Sequence, residues 1–509
     1  MPKNVVFNNV LDYKSNFHYL IYNFTMEVKD LQPALVFQIF DEITKVPRPS
    51  KKEGKIRQYL LDFAAKHGIA AKTDAVGNVV MTKPATPGHE NAPGVILQGH
   101  MDMVCESNDK SFDFENNPIK TIVDGEWVRA DGTTLGADNG IGVAASLAAL
   151  IDPELVHGPL EVLVTVDEET GMTGANNLGD GMIQGNIILN LDSEDEAEVF
   201  IGCAGGIDTT AYFKYEDEAA PAGYEYIKVN ISRLLGGHSG CDIHRGRACA
   251  NKFMARFIWA EMKKFPVALA SISGGNLRNA IAHEGEFVIG VPAEEKHNLV
   301  ADFNKFIADV EFEFKGIEPN MTFEIASVEA PATVIDAKTA KNLIYALYCA
   351  PHGVIAMNQN IEGLTETSTN LASVKMKENN TIVVTTSQRS LIESSKIDIC
   401  RQVESVFVLA GAEATHGDGY PAWPANVDSE ILKISIKAYE ELYGITPAVK
   451  AIHAGLECAL FRAKYENLDM VSFGPTLNDV HSPKERMHIP AVEKFWNHLV
   501  KILEMVGKK

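Results

Sequence analysis

The hydrophobic pattern at the start of the chain changes between helical and strand spacing. Between Pro33 and Lys66, apolar residues recur at helical spacing, and the break Val46-Pro-Arg-Pro-Ser50 divides this stretch into two predicted helices. Ser50 is placed to cap the second helix. Gly77-Asn78 then stands between two stretches of alternating polarity, which is typical of a β-hairpin. This part of the chain is therefore expected to mix helices with strands.

Further along, several apolar runs end in side chains that can bind a cation. The runs and their polar ends are Val95–Leu97 with His100 and Asp102, Leu160–Val166 with Glu168 and Glu169, and Ile187–Leu191 with Asp192. Alternate side chains leave a strand on the same side, so His100 and Asp102 are expected to be neighbours. In an open α/β sheet, ligands bind beyond the carboxyl ends of the strands. The pattern therefore predicts one polar site at that edge of the sheet.

Two loops supply further candidates for this site. A glycine-rich loop at 130–142 carries Asp138, and it contains neither GxxxxGK[ST] nor GxGxxG. Because an acid inside the loop would oppose a phosphate, a loop that brings a carboxylate to a cation fits better. Near the C-terminus, His481 lies in a turn just after a predicted strand. We expect it to be a ligand in preference to His453 and His488.

The residue types indicate which metal would bind. Two histidines and several carboxylates, with no cysteine, suit Zn²⁺, with Mn²⁺ or Co²⁺ as substitutes. The number of acids favours two ions bridged by a carboxylate, and a remaining Glu could then act as general base. The alternative for residues 167–169 is a solvated acidic turn, which the apolar strand before it and Gly171 after it disfavour.

Composition narrows the class of protein. The 509 residues exceed one compact core, so two or three folding units are expected. The net charge of −22 would repel nucleic acid and anionic membranes, and no apolar run approaches the ~18 residues of a membrane span. The seven cysteines are never spaced as CxxC, which favours a reducing, cytoplasmic environment. Met1–Thr25 lacks the pattern of a signal peptide and is expected to be a disordered extension.

Residues 206–394 differ from the rest, because none of their predicted strands ends in such an acid. Two strand–helix–strand units with the same pattern predict two similar subdomains. Their elements are a strand at 287–291, a helix at 297–308 and a strand at 311–314, then a strand at 381–385, a helix at 394–409 and a following strand. His238 stands among glycines in this segment, in a loop with few side chains that could approach a ligand closely.

Four motifs stand in a characteristic order along the chain. They are Gly99-His-Met-Asp, Gly136-Ala-Asp-Asn-Gly-Ile-Gly, Asp167-Glu-Glu-Thr-Gly and Asp479-Val-His-Ser-Pro-Lys-Glu-Arg. In this order they resemble the co-catalytic dizinc exopeptidases, and within them the aminoacyl-histidine dipeptidase group (Xaa-His dipeptidase, peptidase D). The resemblance covers Met26 to Lys509. It implies an α/β fold: a doubly wound, mixed-sheet zinc exopeptidase domain at 26–205 and 395–509, with an inserted α+β lid domain at 206–394.

The resemblance also implies a role for each polar residue. The implied roles are His100 and Asp192 on one zinc ion, Glu169 and His481 on the other, Asp138 as the bridge, Asp102 as the residue that orients His100, Glu168 as the general base, His238 as the oxyanion donor, and Asn279 with Arg389 as the anchor of the substrate's free carboxylate. In this family the peptide bond after the bridging Asp is typically cis, so a cis bond is expected at Asp138–Asn139.

The function implied is that of a cytosolic dipeptidase. It would cleave unblocked dipeptides, Xaa-His and carnosine-like ones included, through a zinc-bridging water activated by Glu168. An N-acyl amino acid deacylase or a tripeptidase of the same fold is the nearest alternative. A catalytically silent binding protein would be expected to lack Glu168 or a ligand, and neither is missing. The expected partners are small dipeptides, without nucleic acid or membrane, and both a monomer and a homodimer are compatible with the sequence.

Overall fold

The computed structural model describes residues 26–508, so the predicted extension at Met1–Thr25 lies outside the described residues. The helices are α1 (Ala34–Thr44), α2 (Gly54–His67), α3 (Ala137–Ile151), α4 (Glu168–Gly171), α5 (Thr173–Asn176), α6 (Ala250–Glu261), α7 (Lys296–Glu313), α8 (Ala337–Cys349), α9 (Glu393–Leu409), α10 (Glu430–Tyr443), α11 (Glu457–Lys464) and α12 (Ile489–Gly507). None of them is long and apolar enough to cross a membrane.

The strands form two large sheets and two small ones. They are β1 (Ala70–Thr73), β2 (Val79–Lys83), β3 (Val95–His100), β4 (Thr121–Asp124), β5 (Trp127–Ala130), β6 (Leu160–Thr165), β7 (Ile187–Asn190), β8 (Glu198–Cys203), β9 (Gly205–Lys214), β10 (Asp217–Ala219), β11 (Tyr224–Ser232), β12 (Ala268–Gly274), β13 (Gly285–Pro292), β14 (Thr322–Val328), β15 (Thr333–Ile335), β16 (Gly353–Met357), β17 (Thr365–Lys377), β18 (Thr381–Ser390), β19 (Glu413–His416), β20 (Ala448–Ile452), β21 (Asp469–Ser472), β22 (Leu477–Asn478) and β23 (Arg486–His488).

The first large sheet has the order β1-β2-β6-β3-β7-β21-β8-β20 and is mixed. Its central neighbours β6, β3, β7 and β21 run parallel, whereas β1 and β2 pair antiparallel. Side chains alternate along each strand, so apolar residues point to both faces of the sheet, and helices pack on both. On β3, Val95 and Leu97 pack in the core with α1, α3 and α12, while Ile96 faces the core that contains α5 and α11. The predicted doubly wound, mixed α/β fold is confirmed.

The predicted break between the first helices is confirmed, but the role of Ser50 is not. Helix α2 begins at Gly54 after Glu53, and no side chain caps it. The Ser50 hydroxyl instead donates a hydrogen bond of 2.8 Å to Asp102 Oδ2. A buried carboxylate binds a hydroxyl more strongly than an exposed helix end does. Ser50 therefore supports the polar edge of the sheet.

The second large sheet is antiparallel, with the order β14-β11-β13-β12-β17-β18-β9-β19. The junction between β12 and β17 divides this sheet into two halves with the same arrangement. Counted outward from the junction, each half has a strand, its hairpin partner, a strand that comes earlier in the chain and a strand that comes later. The halves are β12, β13, β11, β14 and β17, β18, β9, β19, with α6 and α7 or α8 and α9 in equivalent connections. The predicted strand at 311–314 is wrong, because α7 continues to Glu313 and the strand that follows it is β14.

The chain passes between the two large sheets at two adjoining places. The outgoing segment follows β8, and the returning segment pairs with it through bridges Cys203–Trp423 and Gly206–Tyr420. The second sheet continues past the predicted boundary at 394, since β19 pairs with β9 as far as His416. The two large sheets are therefore connected by two chain segments that pair with each other.

Candidate metal centre and active site

Three parallel neighbours of the first sheet bring the polar strand ends together. Strand β3 lies between β6 and β7, with His100 opposite Thr165 and Gln98 opposite Asn190. Because the three strands end side by side, the residues just beyond them share one edge of the sheet. Asp102, Glu168 and Asp192 are those residues, as the sequence predicts.

The predicted ligands form two groups that share Asp138. In one group, His100 Nε2 lies 3.0 Å from Asp138 Oδ1 and 3.3 Å from Asp192 Oδ1. In the other, His481 Nε2 lies 3.1 Å from Asp138 Oδ2 and 3.0 Å from Glu169 Oε2. Atoms that share a tetrahedral Zn²⁺ at ~2.0–2.1 Å are about 3.3 Å apart. Each oxygen of Asp138 thus faces a different imidazole, and the expected cis bond after Asp138 is present.

The charges at this site are unbalanced. The side chains of Asp138, Glu169 and Asp192 are almost wholly enclosed, and Glu169 Oε1 has no hydrogen-bond partner among the described residues. Hydrogen bonds that the His481 ring donates to Asp138 and Glu169 raise the pKa of His481 to about 11. Burial raises the pKa of Asp192 to about 6. Enclosed acids with incomplete pairing need a cation, so the donor set fits divalent metal ions.

Asp102 connects a predicted metal ligand, His100, to the predicted base, Glu168. Its Oδ1 lies 3.4 Å from His100 Nδ1 and accepts a hydrogen bond of 3.0 Å from the Glu168 backbone N–H, while Oδ2 accepts one of 3.3 Å from the Glu169 N–H. Burial opposes ionisation of Asp102, but His100 and these donors hold its pKa below the usual range. Burial also raises the pKa of Glu168 well above its usual value, as suits a group that accepts a proton near neutral pH.

Two buried, oppositely charged side chains that the sequence analysis missed, Glu485 and Arg48, hold the loop before α3 through its backbone. Glu485 Oε2 accepts hydrogen bonds from the N–H groups of Leu135 (2.7 Å) and Gly136 (3.0 Å), and its Oε1 accepts one from Ala137 (2.8 Å). From the other side, Arg48 donates to the carbonyls of Gly136 and Asp102, the latter at 2.7 Å. Glu485 lies in the same motif as His481, but its contacts are to backbone atoms, which the sequence does not reveal.

Of the predicted lid residues, Arg389 lies near the end of β18, and His238 and Asn279 lie in the loops that follow β11 and β12. His238 Nδ1 accepts hydrogen bonds from the N–H groups of Gly240 (3.3 Å) and Cys241 (3.1 Å), so its proton belongs on Nε2. Burial and the nearby Arg389 charge lower the pKa of His238 to about 4, which keeps the ring neutral. Asn279 is exposed, and its carbonyl accepts from Ser239 N–H at 2.8 Å.

The competing histidines lie away from the two ligand groups. His453 is buried with Nε2 2.7 Å from Ser368 Oγ, and burial lowers its pKa to about 3. The ring of His488 packs against Trp127, with 4.8 Å between ring centres. Neither imidazole contacts a predicted ligand, so the preference for His481 agrees with the geometry.

Comparison with known proteins agrees with this geometry. Residues 96–505 match the family described as Peptidase family M20/M25/M40. The chain is 40% identical, over 95% of its length and all of the relative's, to the cytosol non-specific dipeptidase of Escherichia coli (strain K12). It resembles the crystal structure of aminoacylhistidine dipeptidase from Vibrio alginolyticus, with a TM-score of 0.86, 44% identity and coverage of 95% of this chain and 98% of that one. A tripeptidase from Staphylococcus aureus shares the fold at a TM-score of 0.56 and 15% identity, over 94% of this chain and 100% of that one.

Substituting Glu485→Gln should weaken metal binding. The substitution replaces one carboxylate oxygen, an acceptor, by an amide NH₂ group, a donor. Because backbone N–H groups point at both oxygens, the amide would repel one set of them, and the loop that carries Asp138 should shift. We expect zinc affinity to fall about 10–100-fold, the range for residues that orient metal ligands. Competition with a chromophoric chelator measures this affinity. Glu466→Gln, an exposed change of the same type, is the control, and equal affinities of the two variants would contradict the prediction.

Proposed function

The chain belongs to peptidase family M20/M25/M40, and from that membership we propose that it is a metal-dependent dipeptidase acting on unblocked dipeptides, Xaa-His and carnosine-like ones included. The observation that carries the proposal is the division of the ligands into two groups that share Asp138. His100 and Asp192 would complete one zinc site, and Glu169 and His481 the other. Mn²⁺ and Co²⁺ suit the same donors.

The chain's own residues account for the proton transfers. Two divalent ions would supply a water of lowered pKa and polarise the scissile carbonyl. Glu168 takes the proton of the attacking water and delivers it to the leaving amine. The Glu168 backbone N–H donates to Asp102, and this hydrogen bond fixes the position of the backbone that carries the Glu168 carboxylate. His238, neutral and protonated on Nε2, donates to the carbonyl oxygen as that atom gains negative charge.

We propose that the second sheet and its helices, which include the predicted 206–394 segment, act as a lid with two similar subdomains. Arg389 and Asn279 would hold the carboxylate of a short peptide at a fixed distance from the metal ions, because a guanidinium fork matches a carboxylate. A fixed anchor of this kind would limit cleavage to dipeptides. The likeness to a protein named for the cytosol and the free cysteines support a cytoplasmic location.

An N-acyl amino acid deacylase and a tripeptidase remain the nearest alternatives, since both could use the same metal chemistry. A silent binding protein is disfavoured, because Glu168 and every predicted ligand are present. The high identity to proteins named as dipeptidases favours the dipeptide reading over the other two.

Removing the base should separate catalysis from metal binding. Glu168→Ala is expected to lower kcat by about 10²–10⁴-fold, the range of general acid–base catalysis, while metal content stays at the wild-type level. Steady-state hydrolysis of a dipeptide and atomic spectroscopy of the same preparation give the two quantities. Near-wild-type turnover would refute the assignment of Glu168.

Removing one ligand should remove one ion. We expect wild-type protein to bind two divalent ions per chain, His481→Ala about one, and His488→Ala two. Of these two histidines, His481 is the one that faces Asp138 and Glu169. Chelation should abolish wild-type activity and zinc should restore it. Full activity in protein free of divalent ions would defeat the proposal, and equal metal loss in both variants would point to a folding defect.

A substrate panel should distinguish the candidate activities. Free dipeptides, carnosine among them, should be hydrolysed with much higher kcat/KM than tripeptides or N-acyl amino acids, because the carboxylate anchor fixes substrate length. Amine release measured by chromatography compares all three classes under one condition. Preference for tripeptides or acylated amino acids would transfer the assignment to the corresponding alternative.

A further inference from the structure

Resting on the proposed function, we infer that Tyr420 is a positioning and specificity-determining residue, which holds Arg389 ready for the free C-terminal carboxylate of the substrate. Arg389 Nη1 donates a hydrogen bond of 2.5 Å to the Tyr420 hydroxyl. That hydroxyl still has its own proton to donate, and no described residue accepts it. Tyr420 can therefore contact the same anion as the guanidinium it orients.

The surroundings of Arg389 call for an anion. The residue is 7% exposed, its Nε–H has no partner, and its guanidinium forms no ion pair within residues 26–508. Burial of a cation without a counter-charge is costly, so a site of this kind is completed by a negatively charged ligand. The imidazoles of His238 and His453 lie close enough that the Arg389 charge lowers the pKa of both.

Backbone register explains why Tyr420 reaches this position. Arg389 of β18 is opposite Gly206 of β9, and Gly206 is bridged in turn to Tyr420 of the returning segment. A Cβ atom on Gly206 would lie 2.6 Å from the Tyr420 hydroxyl oxygen, and one on Gly455 would lie 2.9 Å from the ring. Glycine at both positions leaves room for the phenol, and the arginine extends across Gly206 to meet it.

The other charges near the phenol do not supply the missing anion. Asp208, the acid whose charge acts on Tyr420, is paired with Arg278 at 3.2 Å. Lys396 donates a 2.7 Å hydrogen bond to the Tyr420 carbonyl. The groups shown near the Arg389 guanidinium therefore include the Tyr420 hydroxyl and two neutral imidazoles. A planar carboxylate that accepts from the guanidinium fork and the hydroxyl together matches this donor set.

The test combines Tyr420→Phe with removal of the substrate's carboxylate. For alanyl-alanine, the variant should show kcat/KM reduced about tenfold, mainly through KM, which is the size of one lost hydrogen bond to a charged group. For alanyl-alanine amide, which lacks the negative charge, the reduction should be markedly smaller. In Arg389→Ala protein, adding Tyr420→Phe should change little, because the two residues act together.

Tyr226→Phe is the matched control, since Tyr226 is a buried tyrosine of the second sheet whose hydroxyl has no hydrogen-bond partner among residues 26–508. It should leave both substrates at wild-type rates. Equal losses on the acid and the amide in Tyr420→Phe, or losses through kcat alone, would overturn the inference and leave dipeptide hydrolysis intact. Wild-type protein that cleaves neither substrate would overturn the proposed function itself, and the inference with it.

Discussion

The repulsion among enclosed carboxylates is the constraint on which the rest of the structure depends. Asp138, Glu169 and Asp192 converge on two imidazoles at the ends of adjacent strands. Such a cluster of negative charges is unfavourable unless divalent cations neutralise it. It can bind those cations only if each carboxylate oxygen is held in a fixed orientation. The surrounding residues supply that direction. Arg48 and Glu485 hold the backbone before Asp138, and Asp102 holds the backbone of the acids after β6.

Close packing beneath Asp138, the proposed bridging carboxylate, explains the small residues around it. The Asn139 side chain donates a 2.7 Å hydrogen bond to the Leu191 carbonyl and lies directly over β3. A Cβ atom on Gly99 would lie 2.1 Å from Asn139 Oδ1, and one on Gly142 would lie 2.4 Å from the Leu191 oxygen. Glycine at these positions lets the loop approach the strands closely enough for Asp138 to reach both histidines. The motifs therefore encode backbone proximity as well as ligands.

The sequence predicts that the candidate ligands lie together because several of them stand at strand ends, where alternation and chain order fix their place. His100, Glu168 and Asp192 could be placed at one edge from the apolar runs that precede them. Residues that act on backbone atoms leave no such pattern. Glu485 is one acid among many in the sequence. The position of Ser50 predicts a helix cap, whereas the fold brings it next to the carboxylate of Asp102. Tyr420 was missed because its role depends on a register that links distant segments.

Charge is distributed unequally between the two sides of the proposed cleft. The first sheet presents enclosed acids, whereas the proposed lid presents Arg389 with neutral His238, and no acid among the described residues pairs with Arg389. An unblocked dipeptide is itself bipolar, with a carboxylate at one end only. Its carboxylate is attracted by the Arg389 guanidinium, so the proposed anchor selects the orientation that places the scissile carbonyl beside Glu168. The proposed anchor lies at the Gly206–Tyr420 bridge, where the chain crosses between the sheets, so the residues that would bind the substrate's carboxylate also connect the two sheets.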